Sequence, residues 1–275
     1  MKEKMKQALQ QVRETAPLVQ CITNFVTVND CANIILAAGG SPTMAMDKRE
    51  VEEAVRDVSA LVCNMGAIES VEAMILAGKE ANQRQIPVIL DPVAAGGTQL
   101  RRDASKELLE NVQFSVIRGN ASEIRYLAGE QTTGSGVDVS AVDAVTEENL
   151  PAVVEMAKRL AQSTGSVIAI SGVLDVISDG NKAMVLRNGC ASMSRITGSG
   201  CMLTSLIGAF CGAMKQDRFA AACGAMAVMG VAGELAEKLR LQKGTGNVTF
   251  RADLIDSIFS MTETELEEMV KYELF

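Results

Sequence analysis

Pro87-Val-Ile-Leu-Asp-Pro-Val93 opens a segment that closes at Phe114-Ser-Val-Ile-Arg-Gly-Asn120, and its pattern sets the fold class. Val88, Ile89 and Leu90 run on without a polar residue between them, as a strand covered on both faces of a parallel sheet requires. The run stops at Asp91-Pro92. A Gly-containing loop over 94–98 and a helix over 103–111 follow, and 114–117 is the next strand, ending in Arg118-Gly119-Asn120. Strand, loop, helix, strand is the rhythm of an α/β sheet.

The same rhythm extends in both directions. Upstream, residues 2–14 read as a surface helix stopped at Pro17, and Leu18–Ile22 as a strand ending in Thr23-Asn24. A helix over 29–38 is closed by Gly39-Gly40, and Ser41-Pro-Thr-Met44 leads into a helix over 48–57. Ala60–Asn64 is a strand and 69–84 a helix. Downstream, Ala121–Leu127 and 151–162 are helices and 166–171 a strand. The two runs 174–178 and 183–187, joined by Asp179-Gly180-Asn181, form a hairpin. Residues 132–149 are polar and read as a surface loop. Two buried helices, over 201–214 and 219–233, and a final helix over 262–272 complete the chain. No repeat or Pro-rich linker interrupts it, so residues 1–275 read as a single domain. In such a sheet ligands bind beyond the carboxyl ends of the strands, where Asn24, Asp91, Arg118, Asn120 and Ser171 fall.

Arg195-Ile-Thr-Gly-Ser-Gly-Cys-Met-Leu-Thr-Ser205 places two glycines before a helix expected to start at Gly200 or Cys201. Their backbone N–H groups and the helix's positive end make an anion site suited to phosphate. Cys201 would stand at its mouth with a thiol acidified by the helix terminus. The plainer reading is that Gly198 and Gly200 shape a loop and Cys201 is a small buried hydrophobe. Asn120-Ala-Ser-Glu123 is equally double: a capping box, or a carboxylate near a metal–phosphate complex, since Mg²⁺ takes one or two carboxylates beside phosphate oxygens. Asp91 would add negative charge on that edge, and Arg118 would clamp phosphate; a turn residue and a solvated strand end are the alternatives. Neither a phosphate-binding Gly-Lys loop nor a dinucleotide Gly pattern after the first strand is present, so a nucleotide must be held differently.

Composition narrows the function classes. A net charge of −8 argues against nucleic acid or an anionic membrane as partner. With no His, a Ser-His-Asp or Cys-His unit is impossible, and seven Cys without a Cys-x-x-Cys pair fit no usual zinc pattern. The odd, scattered thiols and the lack of a signal-peptide pattern point to a reducing cytoplasm. The apolar runs over 201–214 and 219–233 fall short of the ~20 residues of a membrane span.

Six motifs now stand together: Cys21-Ile-Thr-Asn-Phe-Val26, Ser41-Pro-Thr-Met-Ala45, Val88-Ile-Leu-Asp-Pro-Val93, Ile117-Arg-Gly-Asn-Ala-Ser-Glu123, Ile168-Ala-Ile-Ser-Gly172 and Ile196-Thr-Gly-Ser-Gly-Cys201. In this order, and over nearly its full length, the sequence resembles the hydroxyethylthiazole kinases. The resemblance implies a single-domain ribokinase-like α/β fold, a central, mostly parallel sheet with helices on both faces. It implies ATP- and Mg²⁺-dependent phosphorylation of the hydroxyl of 4-methyl-5-(2-hydroxyethyl)thiazole, a thiamine precursor, by a homotrimer with active sites at subunit interfaces. By the same resemblance Asn24, Val26, Met44 and Gly198 meet the thiazole, and Arg118, Ser171, Asn120 and Gly200 the nucleotide. Ser171 stands where the family commonly has Thr. Asp91, Asn120 and Glu123 form the edge that handles Mg²⁺, and Cys201 takes the catalytic position at which the wider superfamily carries Asp. A kinase of a pyrimidine alcohol, an ATP-dependent hydrate dehydratase and a non-catalytic sensor are the rival readings; Met44 and the 21–26 stretch favour the thiazole.

Overall fold

The computed structural model describes residues 1–130 and 144–275. Its strands are β1 (Leu18–Ile22), β2 (Ser41–Thr43), β3 (Ala60–Asn64), β4 (Val88–Asp91), β5 (Val116–Asn120), β6 (Val167–Ser171), β7 (Asp175–Ser178), β8 (Ala183–Leu186) and β9 (Tyr272–Leu274). Its α-helices are α1 (Lys2–Thr15), α2 (Val28–Ala38), α3 (Val51–Ala54), α4 (Val71–Gln83), α5 (Gln99–Asn111), α6 (Ala121–Leu127), α7 (Leu150–Thr164), α8 (Ser199–Ala213), α9 (Arg218–Lys243), α10 (Asn247–Ser260) and α11 (Glu263–Met269). One sheet runs in the order β2-β1-β3-β4-β5-β6-β7-β8-β9. The pairs from β2 to β6 are parallel, and β6 to β9 pair antiparallel.

Alternate residues of the strands feed two separate cores. Val19, Cys21, Val62, Ile89, Val116 and Ala169 face α1, α2, α8, α9 and α10, while Ile22, Leu61, Leu90, Ile117 and Ile168 face α4, α5 and α7. Both faces are therefore apolar, which is why the strands carry no alternation. Helix α8 crosses β1, β3 and β4, so its first turn lies over the carboxyl ends of those strands. Strand order reverses direction at β1: the chain goes first to β2 on one side, then to β3 on the other. That reversal leaves a crevice between the ends of β1 and β3, where α/β proteins bind ligands.

Several boundaries differ from the sequence reading. The 48–57 helix is only the single turn α3 plus a 3₁₀ turn, because its charged residues supply little apolar face. Strand β5 starts later than expected and carries Arg118, Gly119 and Asn120 within the ladder, where Asn120 pairs with Ser171. Helix α5 begins early because Thr98 accepts from the Arg101 N–H as its cap. Helix α10 was not anticipated, and Tyr272, expected to end a terminal helix, instead opens β9 on the sheet edge. At 26 residues, with a mean hydropathy of 1.6 over its most apolar window, α9 is long and apolar enough to cross a membrane, contrary to the run-length estimate. Of that window 89% is buried against the sheet and neighbouring helices, which makes it a core helix. Of the loop expected at 132–149, residues 132–143 lie outside the described residues, and 144–149 lead into α7.

Candidate active site

The crevice is built from strand ends. Register sets Asn64 at the end of β3 directly beside Asp91 at the end of β4, and Asn64 Nδ2 donates to Asp91 Oδ2 at 2.9 Å. Asn24 follows β1; its Nδ2 reaches Asn64 Oδ1 at 3.4 Å and the Cys201 sulfur at 3.5 Å. Its own Oδ1 accepts from the Thr27 N–H and hydroxyl at 3.2 and 3.1 Å. Thr204, one turn into α8, donates to Asp91 Oδ2 at 2.8 Å. Arg118 Nη1 lies 3.6 Å from the same oxygen, and Nη2 donates to Ser171 Oγ. Arg118 Nε is buried with no partner among the described residues. A buried guanidinium with one donor unfilled, facing a glycine loop, suits an anion.

That loop requires its glycines for two different reasons. Gly198 caps α8 with φ +80°, the left-handed region, and a Cβ there would run into the Thr27 side chain. Gly200 lies under the guanidinium: a Cβ would stand 2.6 Å from Arg118 Nη1. The loop thus brings the N–H groups of the first turn of α8 up to the Arg118 head.

Glu123 is the N3 residue of a complete capping box on α6: Asn120 Oδ1 accepts from the Glu123 N–H at 2.9 Å, and Glu123 Oε2 from the Asn120 N–H at 2.7 Å. Its Oε1 also accepts from the Ala94 N–H at 2.8 Å. The cap does not remove it from the crevice. Burial, then the charge of Asp91, push its carboxyl up to about 7. Asp91 is raised as well, by burial, against the opposing pull of Arg118 and Thr204. Two buried carboxylates that burial makes reluctant to ionise, Glu123 further so beside the Asp91 charge, are a donor set suited to a hard divalent cation.

Cys201 departs from expectation. Burial and the Asp91 charge raise its pKa, outweighing hydrogen bonds from Thr27, Asn64 and Asn24, so the thiol is not acidified by the helix terminus. Asn24, Asp91, Arg118, Ser171, Asn120, Glu123, Gly198, Gly200 and Cys201 all border this crevice or its two rims. Val26 stands outside the hydrogen-bonded cluster, 58% exposed, and Met44, just past β2, packs half-buried against the core. Four polar residues were missed. Asn64 ends a strand like the others and was legible by the same rule. Thr27, Thr204 and Asp175 were not: they reach the crevice only through packing. Asp175, at the start of β7, accepts from the Gly172 N–H at 2.9 Å and faces Arg118; burial raises it to about 7.

The hydroxyethylthiazole kinase family model matches residues 9–264. The hydroxyethylthiazole kinase of Clostridium acetobutylicum is 45% identical over 273 residues, covering 98% of this chain and all of that one. The chain belongs to the hydroxyethylthiazole kinase family. A solved hydroxyethylthiazole kinase structure from Pyrococcus horikoshii superposes with a TM-score of 0.86 at 32% identity, over 99% of each chain. An ADP complex of Bacillus subtilis pyridoxal kinase matches at TM-score 0.59 and 17% identity, over 78% of this chain and 90% of that one, which speaks to the fold alone. The ribokinase-like architecture is thus the one expected.

Proposed function

We propose that this member of the hydroxyethylthiazole kinase family transfers the γ-phosphoryl group of ATP to the primary hydroxyl of 4-methyl-5-(2-hydroxyethyl)thiazole, with Mg²⁺. The observation that carries the reading is the meeting of two halves at the strand-order reversal. Asn24, Gly198 and Cys201 stand on one side, and Arg118, Ser171 and Gly200 on the other, with Asp91 and Asn64 between them. The alcohol sits over the first turn of α8, on the Asn24 side, with Val26 and Met44 bordering its ring and Gly198 beneath it. Arg118 and Ser171 hold the nucleotide phosphates, and Asn120 and Gly200 line the same side.

Asp91 and Glu123 would hold Mg²⁺, which would offset phosphate charge when bound. The N–H groups of residues 198–201 face the equatorial oxygens of the transferring group, and Arg118 adds a fixed positive charge. Because the transition state is loose, positioning outweighs a strong base, so the hydroxyl proton can pass to an oxygen of the transferring phosphoryl group as the new O–P bond forms and the bond to ADP breaks, with the neutral Cys201 thiol beside the hydroxyl. Asn24 and Asn64, donating to its sulfur, hold it in place. The working form is a cytoplasmic homotrimer of single-domain subunits with sites at the interfaces, acting on small molecules rather than nucleic acid or membrane. A coupled assay of ADP release, run with the thiazole alcohol and a panel of other small alcohols, tests the reading. Mg²⁺-dependent release with the thiazole supports it. Release only with a pyrimidine alcohol would overturn the substrate, and no alcohol-dependent release would overturn the activity.

A further inference from the structure

Asn64 is 1% exposed, and every polar atom of its side chain is committed. Its Oδ1 accepts from the Gly66 N–H at 2.8 Å and from Asn24 Nδ2 at 3.4 Å. That leaves Nδ2 to donate to Asp91 Oδ2 at 2.9 Å and to approach the Cys201 sulfur. The carboxamide cannot flip without opposing two N–H donors on one side and losing Asp91 on the other. Gly66 completes the arrangement: a Cβ there would lie 2.7 Å from Asn64 Oδ1 and 2.8 Å from Asn24 Nδ2, so only glycine lets the three groups close together.

These residues lie where the sheet order reverses, Asn24 at the end of β1, Asn64 at the end of β3 and Asp91 at the end of β4. The alcohol side and the phosphate side of the crevice therefore meet through a single amide. Asp91 Oδ2 is shared by Asn64, Thr204 and Arg118. Of these three, only Asn64 also holds Asn24, the residue that touches Cys201. We infer that Asn64, clamped by Gly66, is the positioning residue that fixes the alcohol-side Asn24–Cys201 pair relative to the Asp91 carboxylate. This rests on the kinase reading above and adds a residue that the family resemblance did not supply. Phosphoryl transfer needs attacking oxygen and phosphate aligned within a few tenths of an ångström, and a shift of 1 Å costs about 10²-fold.

The test compares wild type, Asn64→Leu, Gly66→Ala and the double variant. Asn64→Leu is nearly isosteric and removes donor and acceptor without adding charge. Gly66→Ala leaves Asn64 intact and displaces it from outside, so the proposal remains testable if Asn64→Leu does not fold. The expected result is a kcat at least about tenfold lower for each single variant, with KM for the alcohol raised and the Kd of Mg-ATP, measured by calorimetry, within about twofold of wild type. Arg118, Ser171 and the glycine loop would be untouched. The double variant should lose little more than the worse single one, since both act through one clamp. A folded variant with a lower melting temperature and unchanged kcat would make Asn64 merely structural and overturn the inference. So would losses that multiply in the double variant. If wild type ignores the thiazole but phosphorylates another alcohol, the substrate reading alone fails and the kcat ratios are read on that alcohol.

Discussion

Gly200→Ala is the change that most cleanly separates activity from stability. The new methyl would stand 2.6 Å from Arg118 Nη1, 3.0 Å from Nη2 and 3.2 Å from Cζ. The guanidinium is the movable partner, since Gly200 belongs to the backbone of α8, and it must retreat by about 0.8 Å to restore ordinary contact. Its ion pair with Asp91 then lengthens from 3.6 Å to about 4.4 Å. At an effective dielectric constant of about 20 this weakens the attraction by ~0.8 kcal/mol. Replacing glycine by alanine inside a helix returns about the same amount. Net stability should hardly change, and the melting temperature should stay within about 4 °C of wild type.

Activity has no such offset. The retreating guanidinium gives up its hydrogen bond to Ser171 and its aim at the phosphates. A charge-assisted bond lost at the transition state is worth ~1.5–3 kcal/mol, or roughly ten- to a hundredfold in kcat/KM for ATP. Steady-state ADP release with varied ATP, beside differential scanning fluorimetry on the same preparation, measures both quantities. A Gly200→Ala enzyme with wild-type kcat/KM would refute the reasoning that Arg118 works from this position. A variant that lost activity only in proportion to unfolded protein would refute the cancellation.

Glu123, raised from 4.5 to about 7 in the folded chain, favours folding while it is protonated. That contribution is complete below about pH 4.5, is lost as pH rises through 7, and amounts to about 3 kcal/mol. Glu123→Gln, which gives up one capping acceptor at a cost of about 1 kcal/mol, should therefore melt below wild type at pH 4.5 and above it at pH 8 in Mg²⁺-free buffer; parallel curves would contradict this. Cys201→Ala should lose about tenfold in kcat in single-turnover experiments, while Cys201→Asp should stay folded and active, because Asn24, Asn64 and Thr27 donors already surround that position. A fully active Ala variant beside an inactive, folded Asp variant would remove Cys201 from the mechanism. Light scattering should return three times the 29.1 kDa chain mass under assay conditions; a monomer there would end the trimer reading.

Much of the site could be read from strand ends alone. Asp91, Arg118, Asn120 and Ser171 each follow an apolar run, and parallel register then aligns them without further information. Asn64 obeyed the same rule and was passed over, because nothing in Cys63-Asn64-Met65 marks it apart from an ordinary strand terminus. Its importance lies in what β4 brings beside it. Thr204 is a helix residue whose hydroxyl also reaches the Gly200 carbonyl at 3.2 Å, an arrangement any buried helical Thr adopts. Only the crossing of α8 over β4 turns it toward Asp91. The thiol was misread for a related reason. The helix terminus at Cys201 is visible in the sequence, but the burial and the Asp91 charge that overcome it come from other elements. Strand β9 was missed because its pairing with β8 is non-local and its first residue, Tyr272, reads as the end of the preceding helix.

Glu123 shows why a structural reading and a functional reading of one residue need not compete. The capping box satisfies α6 through the Asn120 and Glu123 backbone N–H groups, and an exposed box of that kind would carry an ordinary carboxylate. Here a third donor, the Ala94 N–H, belongs to the loop after β4, so the cap also ties the two rims of the crevice and buries the carboxylate beside Asp91. The local hydrogen bonds hold Glu123 in place, while the neighbouring strand makes its charge costly. A cation that relieved that cost would stabilise the fold as it bound, so Mg²⁺ with nucleotide should raise the melting temperature of wild type more than that of Glu123→Gln. Equal shifts in the two proteins would mean that Glu123 caps the helix and does nothing more.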